Sequence, residues 1–258
     1  MTAQQRQAPP ADLTRSTVTR GKFIARTGAL AGVIGLFGMG GKFGFETALA
    51  ANGADTTQSI LDAAVTAEQI ATVFYYQGIA GPTAARLGPV HSNNNLNYFQ
   101  AALWQEYQHI QLLESLGGTS LTGSDSPTIS FPDGTFEKPG SFLDLLATLE
   151  RAFIGAYLAA VGYWAGTNQP VYAEGAAQIL GVEAEHRTLG RVTAGTNPPN
   201  NLVLEEAVFE HVADAVPALL PFVTGGAGYT AYPFPSEAQI RAAATTTIIQ
   251  EVSTPALA

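Results

Sequence analysis

"GVEAEHRTLG", residues 181–190, holds the pair of side chains on which the fold turns. Glu183 and His186 stand three apart in a mostly apolar run, and positions three apart share one helix face. A carboxylate and an imidazole aimed at one place meet solvent, each other or a shared metal ion. These ten residues alone leave that choice open.

Working outward, the pair belongs to a helix that follows Pro170 and ends at Gly195. Three more segments carry apolar residues at helical spacing. The first spans about residues 55–77, with Asp55 or Thr56 as its N-cap. The second starts near Asn95 and stops at Gly117-Gly118. The third opens with Ser141 and Asp144 in capping-box spacing and closes at Gly166. In the second, Leu96, Phe99, Leu103, Ile110 and Leu113 form one stripe. Glycines 155, 162, 175 and 181 cost helix propensity and are tolerable where helices pack closely.

Four such helices predict an all-α four-helix bundle. Between helices two and three lies "GTSLTGSDSPTISFPDGTFEKP", long and turn-rich, with a small hairpin expected around Pro132-Asp133-Gly134. A connection of this length suits a crossover between two antiparallel hairpins, and an irregular loop is the alternative. After Gly195, "LVLEEAVFEHVADAVPALL" reads as a fifth helix ended or kinked by Pro217 and Pro221. "TGGAGYTAYPFP" reads as a loop, and "SEAQIRAAATTTIIQEV" as a short helix with Ser236 and Gln239 in capping-box spacing. The expected organisation is therefore a bundle over 51–195 and a helical extension over 196–258 packed on it.

The other helices repeat the opening pattern. Helix two contains Glu106 and His109, again three apart. Helix one has the single glutamate Glu68 on an apolar face, and helix three has Glu150 in the same situation. In order, the helices supply Glu, Glu-x-x-His, Glu, Glu-x-x-His. Four carboxylates and two imidazoles from two related hairpins are the ligand set of a dinuclear iron or manganese site in a bundle core. Oxygen and nitrogen donors suit both metals, and carboxylates bridge cations while cancelling their charge. Whether the lone or the motif glutamates bridge is not decided by spacing.

Metal-free readings compete. A given His has Glu three residues before it about one time in twenty by composition, so two hits among four histidines do not establish a site. Glu183 could pair with Arg187 on an exposed face, Glu185 could be the inward acid, and His109 could be an interior histidine bonded to Glu106. Glu68 and Glu150 weigh against these readings, because a buried unpaired carboxylate costs several kcal/mol. His91 and His211 read as surface residues. Tyr75, Tyr107 and Tyr157 read as core aromatics, with hydrogen bonding to the site as the lesser role.

On these residues, the chain resembles the ferritin-like superfamily over about residues 55–195. More closely it looks like the exported ferritin-like proteins grouped with desiccation-related proteins. The resemblance implies metal-ligand positions at Glu68, Glu106, His109, Glu150, Glu183 and His186. It implies no one reaction, since such proteins include ferroxidases, manganese catalases, oxygenases and members without metal.

The first fifty residues differ in kind. A basic cluster (Arg20, Lys22, Arg26) leads into a short glycine-rich apolar run, and Ala48-Leu49-Ala50 offers a small-residue cleavage site. These are the parts of an export signal, with a periplasmic or extracellular destination. The segment looks like a twin-arginine signal whose paired arginines are degenerate; an uncleaved anchor is the alternative. The apolar run is short for a membrane span. These fifty residues hold six of the 12 basic groups and two of the 21 acidic ones, so the remainder carries six against nineteen, near −13. Such a surface disfavours nucleic acid and anionic membranes. Absence of cysteine excludes disulfides, thiolate metal sites and cysteine nucleophiles.

Two functions follow as expectations. The first is an exported dimetal protein handling metal, peroxide or dioxygen, a ferroxidase-like or catalase-like oxidoreductase in oxidative or desiccation stress. The second is a metal-free structural stress protein on the same bundle. The expected partners are metal ions and small oxidants, and the sequence is compatible with a homo-oligomer.

Overall fold

A computed structural model describes residues 55–92 and 94–252; the expected export signal over 1–50 lies outside the described residues. Four long helices dominate: α1 (Thr57–Ala80), α2 (Asn95–Ser115), α3 (Pro139–Gly166) and α4 (Pro170–Thr193). Helix α1 starts at Thr56, whose side chain accepts from the Ser59 backbone N–H in a reciprocal capping box. Helices α3 and α4 start with proline in the first turn, where its fixed φ suits the helix and its missing N–H costs nothing. The box expected at Ser141 and Asp144 is therefore absent. Pro139 starts α3 two residues earlier, and Lys138 flanks it without a side-chain cap.

Helix α1 packs on α2 and α3 on α4, and the two hairpins face each other through α2–α4 and α1–α3. The crossover joins them. Two apolar clusters fill the bundle. One gathers Ile70, Phe74, Phe99, Leu103, Phe142 and Leu146; the other gathers Leu61, Val65, Ile110, Leu113, Trp164 and Ile179. On α2, Glu106 and His109 fall between Trp104 of the first set and Ile110 of the second. Helix α3 is long and apolar enough to cross a membrane; its apolar residues are spent on this core, and Glu150 lies buried at its middle.

Close approach of α3 and α4 depends on Gly190. A Cβ there would lie 2.4 Å from Leu146 Cδ2. Gly155 admits a strap from the C-terminal region, since a Cβ would lie 2.2 Å from Val208 Cγ2. Gly162 and Gly181, expected at close helix contacts, border open space instead.

The crossover and the extension depart from expectation together. Residues 128–132 form β1 (Thr128–Pro132), which pairs antiparallel with β2 (Tyr229–Pro233), Thr128 opposite Pro233 and Pro132 opposite Tyr229. No local hairpin forms at Asp133, and the supposed loop 224–235 contains a strand. The expected fifth helix forms only as α5 (Val216–Thr224), with Pro217 in its first turn and Pro221 inside it. Residues 201–211 are an irregular strap, followed by one 3-10 turn at Val212–Asp214. Tertiary contacts outweigh helix propensity there. Glu205 and Glu206 reach arginines of α4 and α3, Val208 and Phe209 lie over Gly155, and Asp55 accepts from the Val212 and Ala213 backbone.

The last segment has the expected capping box at Ser236 and Gln239 but breaks at Thr245, whose φ is 64°. It forms α6 (Glu237–Ala244) and α7 (Thr246–Glu251). Ile240 and Ala244 enter the first apolar cluster, and Gln100 Nε2 donates to the Ala243 carbonyl at 2.8 Å. The C-terminal helices are packed on the bundle.

Candidate metal centre

All six side chains singled out in the sequence are buried, and they converge. Glu68 comes from α1, Glu106 and His109 from α2, Glu150 from α3, and Glu183 and His186 from α4. Two overlapping sets arise: Glu68, Glu106, His109 and Glu183; and Glu106, Glu150, Glu183 and His186. In each, one donor atom per residue lies within 4.8 Å of the others. Glu106 and Glu183 belong to both sets. Spacing leaves open which glutamates would be shared between two ions; here the two motif glutamates are common to both sets, while Glu68 and Glu150 each belong to one.

The imidazoles point their Nδ1 atoms inward. His109 Nδ1 lies 3.2 Å from Glu68 Oε2, 3.3 Å from Glu106 Oε2 and 3.4 Å from Glu183 Oε1. His186 Nδ1 lies 3.0 Å from Glu106 Oε1, 3.5 Å from Glu183 Oε2 and 3.9 Å from Glu150 Oε1. Proximity does not become hydrogen bonding everywhere. Glu106 Oε1, Glu150 Oε2, both Glu183 oxygens and His186 Nδ1 are buried without an aligned partner. Buried polar atoms are normally satisfied, and five orphans on residues of the two overlapping sets fit cations. The donor set, four carboxylates and two imidazoles without thiolate, suits iron or manganese. The cluster could hold metal ions.

Protons neutralise the same cluster without metal. Burial raises Glu68 well above the usual carboxylate range, and the nearby Glu106 and Glu183 raise it further. Burial likewise raises Glu150, reinforced by Glu183. For Glu106, burial acts upward but is outweighed by hydrogen bonding with Glu68 and by His186, so it is lowered. Burial also pushes Glu183 up, as does Glu106, yet the close imidazoles of His109 and His186 leave it lowered. Burial disfavours charged imidazole, but Glu68 lifts His109 and Glu106 lifts His186 well above the ordinary value. These directions favour the charged form of both imidazoles beside Glu106 and Glu183, and the uncharged form of Glu68 and Glu150.

Two tyrosines complete the site, in the role the sequence reading ranked second. Tyr75 of α1 donates to Glu150 Oε1, and Tyr157 of α3 donates to Glu68 Oε1. Each tyrosine sits seven residues after the lone glutamate of its own helix and bonds the lone glutamate of the other. The signal was present as a repeated Glu-x6-Tyr in helices one and three. Burial, then the neighbouring Glu150 or Glu68, keeps both phenols protonated by raising them well above their usual range. Gln105, not singled out beforehand, holds His186: Nε2 lies 2.9 Å from Gln105 Oε1. With Nε2–H donating, the Nδ1 lone pair faces the cluster, the usual outer support of a ligating histidine.

The competing readings find other places. Glu185 is exposed, so Glu183 is the inward acid. Arg187 pairs with Glu205 and Arg151 with Glu206, neither with its neighbouring site glutamate. His91 Nε2 lies 3.1 Å from the Gly78 carbonyl. His211 is half exposed beside Asp55, and Tyr107 stands outside the cluster against Trp104.

The sequence profile of one family, described as "Ferritin-like domain", matches residues 56–196. No curated protein and no solved structure matches the chain.

Proposed function

The chain belongs to the ferritin-like domain family, and from that premise we propose that it is an exported dinuclear iron or manganese protein. Its work is to handle metal, peroxide or dioxygen under oxidative or desiccation stress. The observation that carries this reading is the set of five orphaned donor atoms around two overlapping ligand sets. In the proposed division, residues 1–50 serve export, 51–195 hold the metals and 196–258 brace the bundle.

Glu106 and Glu183 would bridge two ions; Glu68 with His109, and Glu150 with His186, would complete each side. The ions would supply reversible one-electron chemistry and Lewis acidity. The protein's own part is to fix the donors and manage protons. Tyr75 and Tyr157 orient the lone glutamates by holding one oxygen of each. Tyr157 also borders a small apolar cavity of about 30 Å³ lined by Ala63, Ala67 and Ala156.

Export rests on the basic cluster, the apolar run and the Ala48-Leu49-Ala50 site, and stress protection on the resemblance. Metal analysis and an optical spectrum of protein from metal-replete cells test the metal reading, with oxygen-consumption and peroxide-decay assays for the chemistry. The expected result is about two Fe or Mn per chain. Protein free of both, whose melting ignores added metal, would overturn it.

A second reading has its own support: the raised Glu68, Glu150, His109 and His186 favour protons in the place of metal. In that case the protein is a metal-free stress protein. Replacing Glu106 and Glu183 by glutamine would then leave stress tolerance intact, whereas joint loss of metal and tolerance would count against it.

A further inference from the structure

Outside the centre, a cavity of about 180 Å³ lies between α3, α4 and the strap. Its walls bring together Arg151, Arg187 and Arg191, with Glu205 and Glu206 from the strap. These are three of the six basic residues that follow residue 50, gathered at one place in a strongly acidic chain.

Pairing within the cavity is incomplete. Arg151 bonds Glu206, and Arg187 Nη2 lies 2.6 Å from Glu205 Oε1. Yet Arg187 is only 9% exposed and its Nε–H is buried without an acceptor. Among the described residues, Arg191 forms no ion pair. Three guanidinium groups against two carboxylates leave one excess positive charge, in a space whose other walls include the apolar Ile154 and Leu202. A buried donor without an acceptor is costly, and forked guanidinium donors match oxyanions.

We propose that this cavity binds a small oxyanion, a phosphate or carboxylate group held by the Arg187 and Arg191 guanidinium groups. Arg187 already donates to the carboxylate of Glu205, and that internal anion competes with the ligand. The assignment does not depend on metal in the bundle.

Calorimetric titration of the full chain at constant ionic strength, with sodium phosphate and separately with sodium acetate, tests it. One saturable site per chain is expected. Binding of phosphate alone assigns the site to phosphate groups, and binding of acetate alone assigns it to carboxylates. Arg191→Gln weakens binding about tenfold or more, the loss of one charge-assisted pair. Glu205→Gln tightens it by removing the competitor, and it decides the matter if Arg191→Gln does not fold. Failure of the unsubstituted chain to bind either anion saturably, or binding indifferent to both substitutions, would overturn the proposal.

Discussion

The two hairpins of the bundle carry the same chemistry at the same spacing, yet they do not hold their imidazoles alike. Each supplies one Glu-x6-Tyr and one Glu-x-x-His, and the tyrosine of each hairpin bonds the lone glutamate of the other. His186 is anchored by Gln105 and its side chain is 2% exposed. Among the described residues His109 has no such anchor: the position on α4 that matches Gln105 is Val182, and the His109 side chain is 10% exposed. Symmetry therefore governs the acids that share charge, and asymmetry enters where an imidazole must be oriented. This predicts two metal positions of unequal affinity, the tighter one at His186.

The largest effect breaks both halves at once. Replacing Glu106 and Glu183 together by alanine removes the two carboxylates common to both ligand sets. Metal content measured by mass spectrometry should fall from about two ions per chain to near none. Retention of one ion would mean that the halves bind independently.

Next comes pH, which separates the metal-free from the metal-loaded state. Glu68, Glu150, His109 and His186 all have raised folded-state values. Their contribution to metal-free stability is fully present below the unfolded values, 4.5 for Glu and 6.5 for His. It is lost as pH rises through the raised folded values, because the native state there binds more protons than the unfolded one. Glu106 and Glu183 act oppositely, losing stability only as pH falls below 4.5. Melting of metal-free protein should thus decline as pH rises above 4.5, and further above 6.5. Metal requires deprotonated ligands, so the loaded protein should decline in the other direction, as pH falls. Parallel curves for the two states would contradict the exchange of protons for metal.

A smaller effect sharpens the inequality itself. Gln105→Leu removes the anchor of His186 and should weaken one of the two binding steps about 10–100-fold. The other step should be unchanged in a calorimetric titration with Mn(II). Equal weakening of both steps would deny that the halves differ. Smallest, and equal in both halves, is the effect of Tyr75→Phe and Tyr157→Phe. Each leaves a buried carboxyl oxygen without its donor, at about 1–3 kcal/mol in denaturant unfolding of metal-free protein.

What the sequence made legible follows the range of the interactions. The four helices and the inward acids rest on periods of three and four residues, which the chain displays directly. The Glu-x6-Tyr repeat was equally local, but it gains meaning only when α1 faces α3. The pairing of β1 with β2 joins residues a hundred positions apart, and nothing near Pro132 or Tyr229 announces it. The strap was misread as a helix because Glu205, Glu206 and Val208 satisfy that pattern. Their partners Arg151, Arg187 and Gly155 are set by tertiary packing, and Val203, 97% exposed, has no helix face to bury. Likewise Pro139 displaced the capping box expected at Ser141, a local rule overridden by a stronger one two residues away.

Anomalous diffraction from crystals grown with Mn(II) or Fe(II), collected on both sides of the metal edge, tests the central claim most directly. The account predicts two peaks per chain inside the bundle, both touching Glu106 and Glu183, one beside His109 and the other beside His186. Crystals at saturating metal with no peak among these six side chains would contradict it.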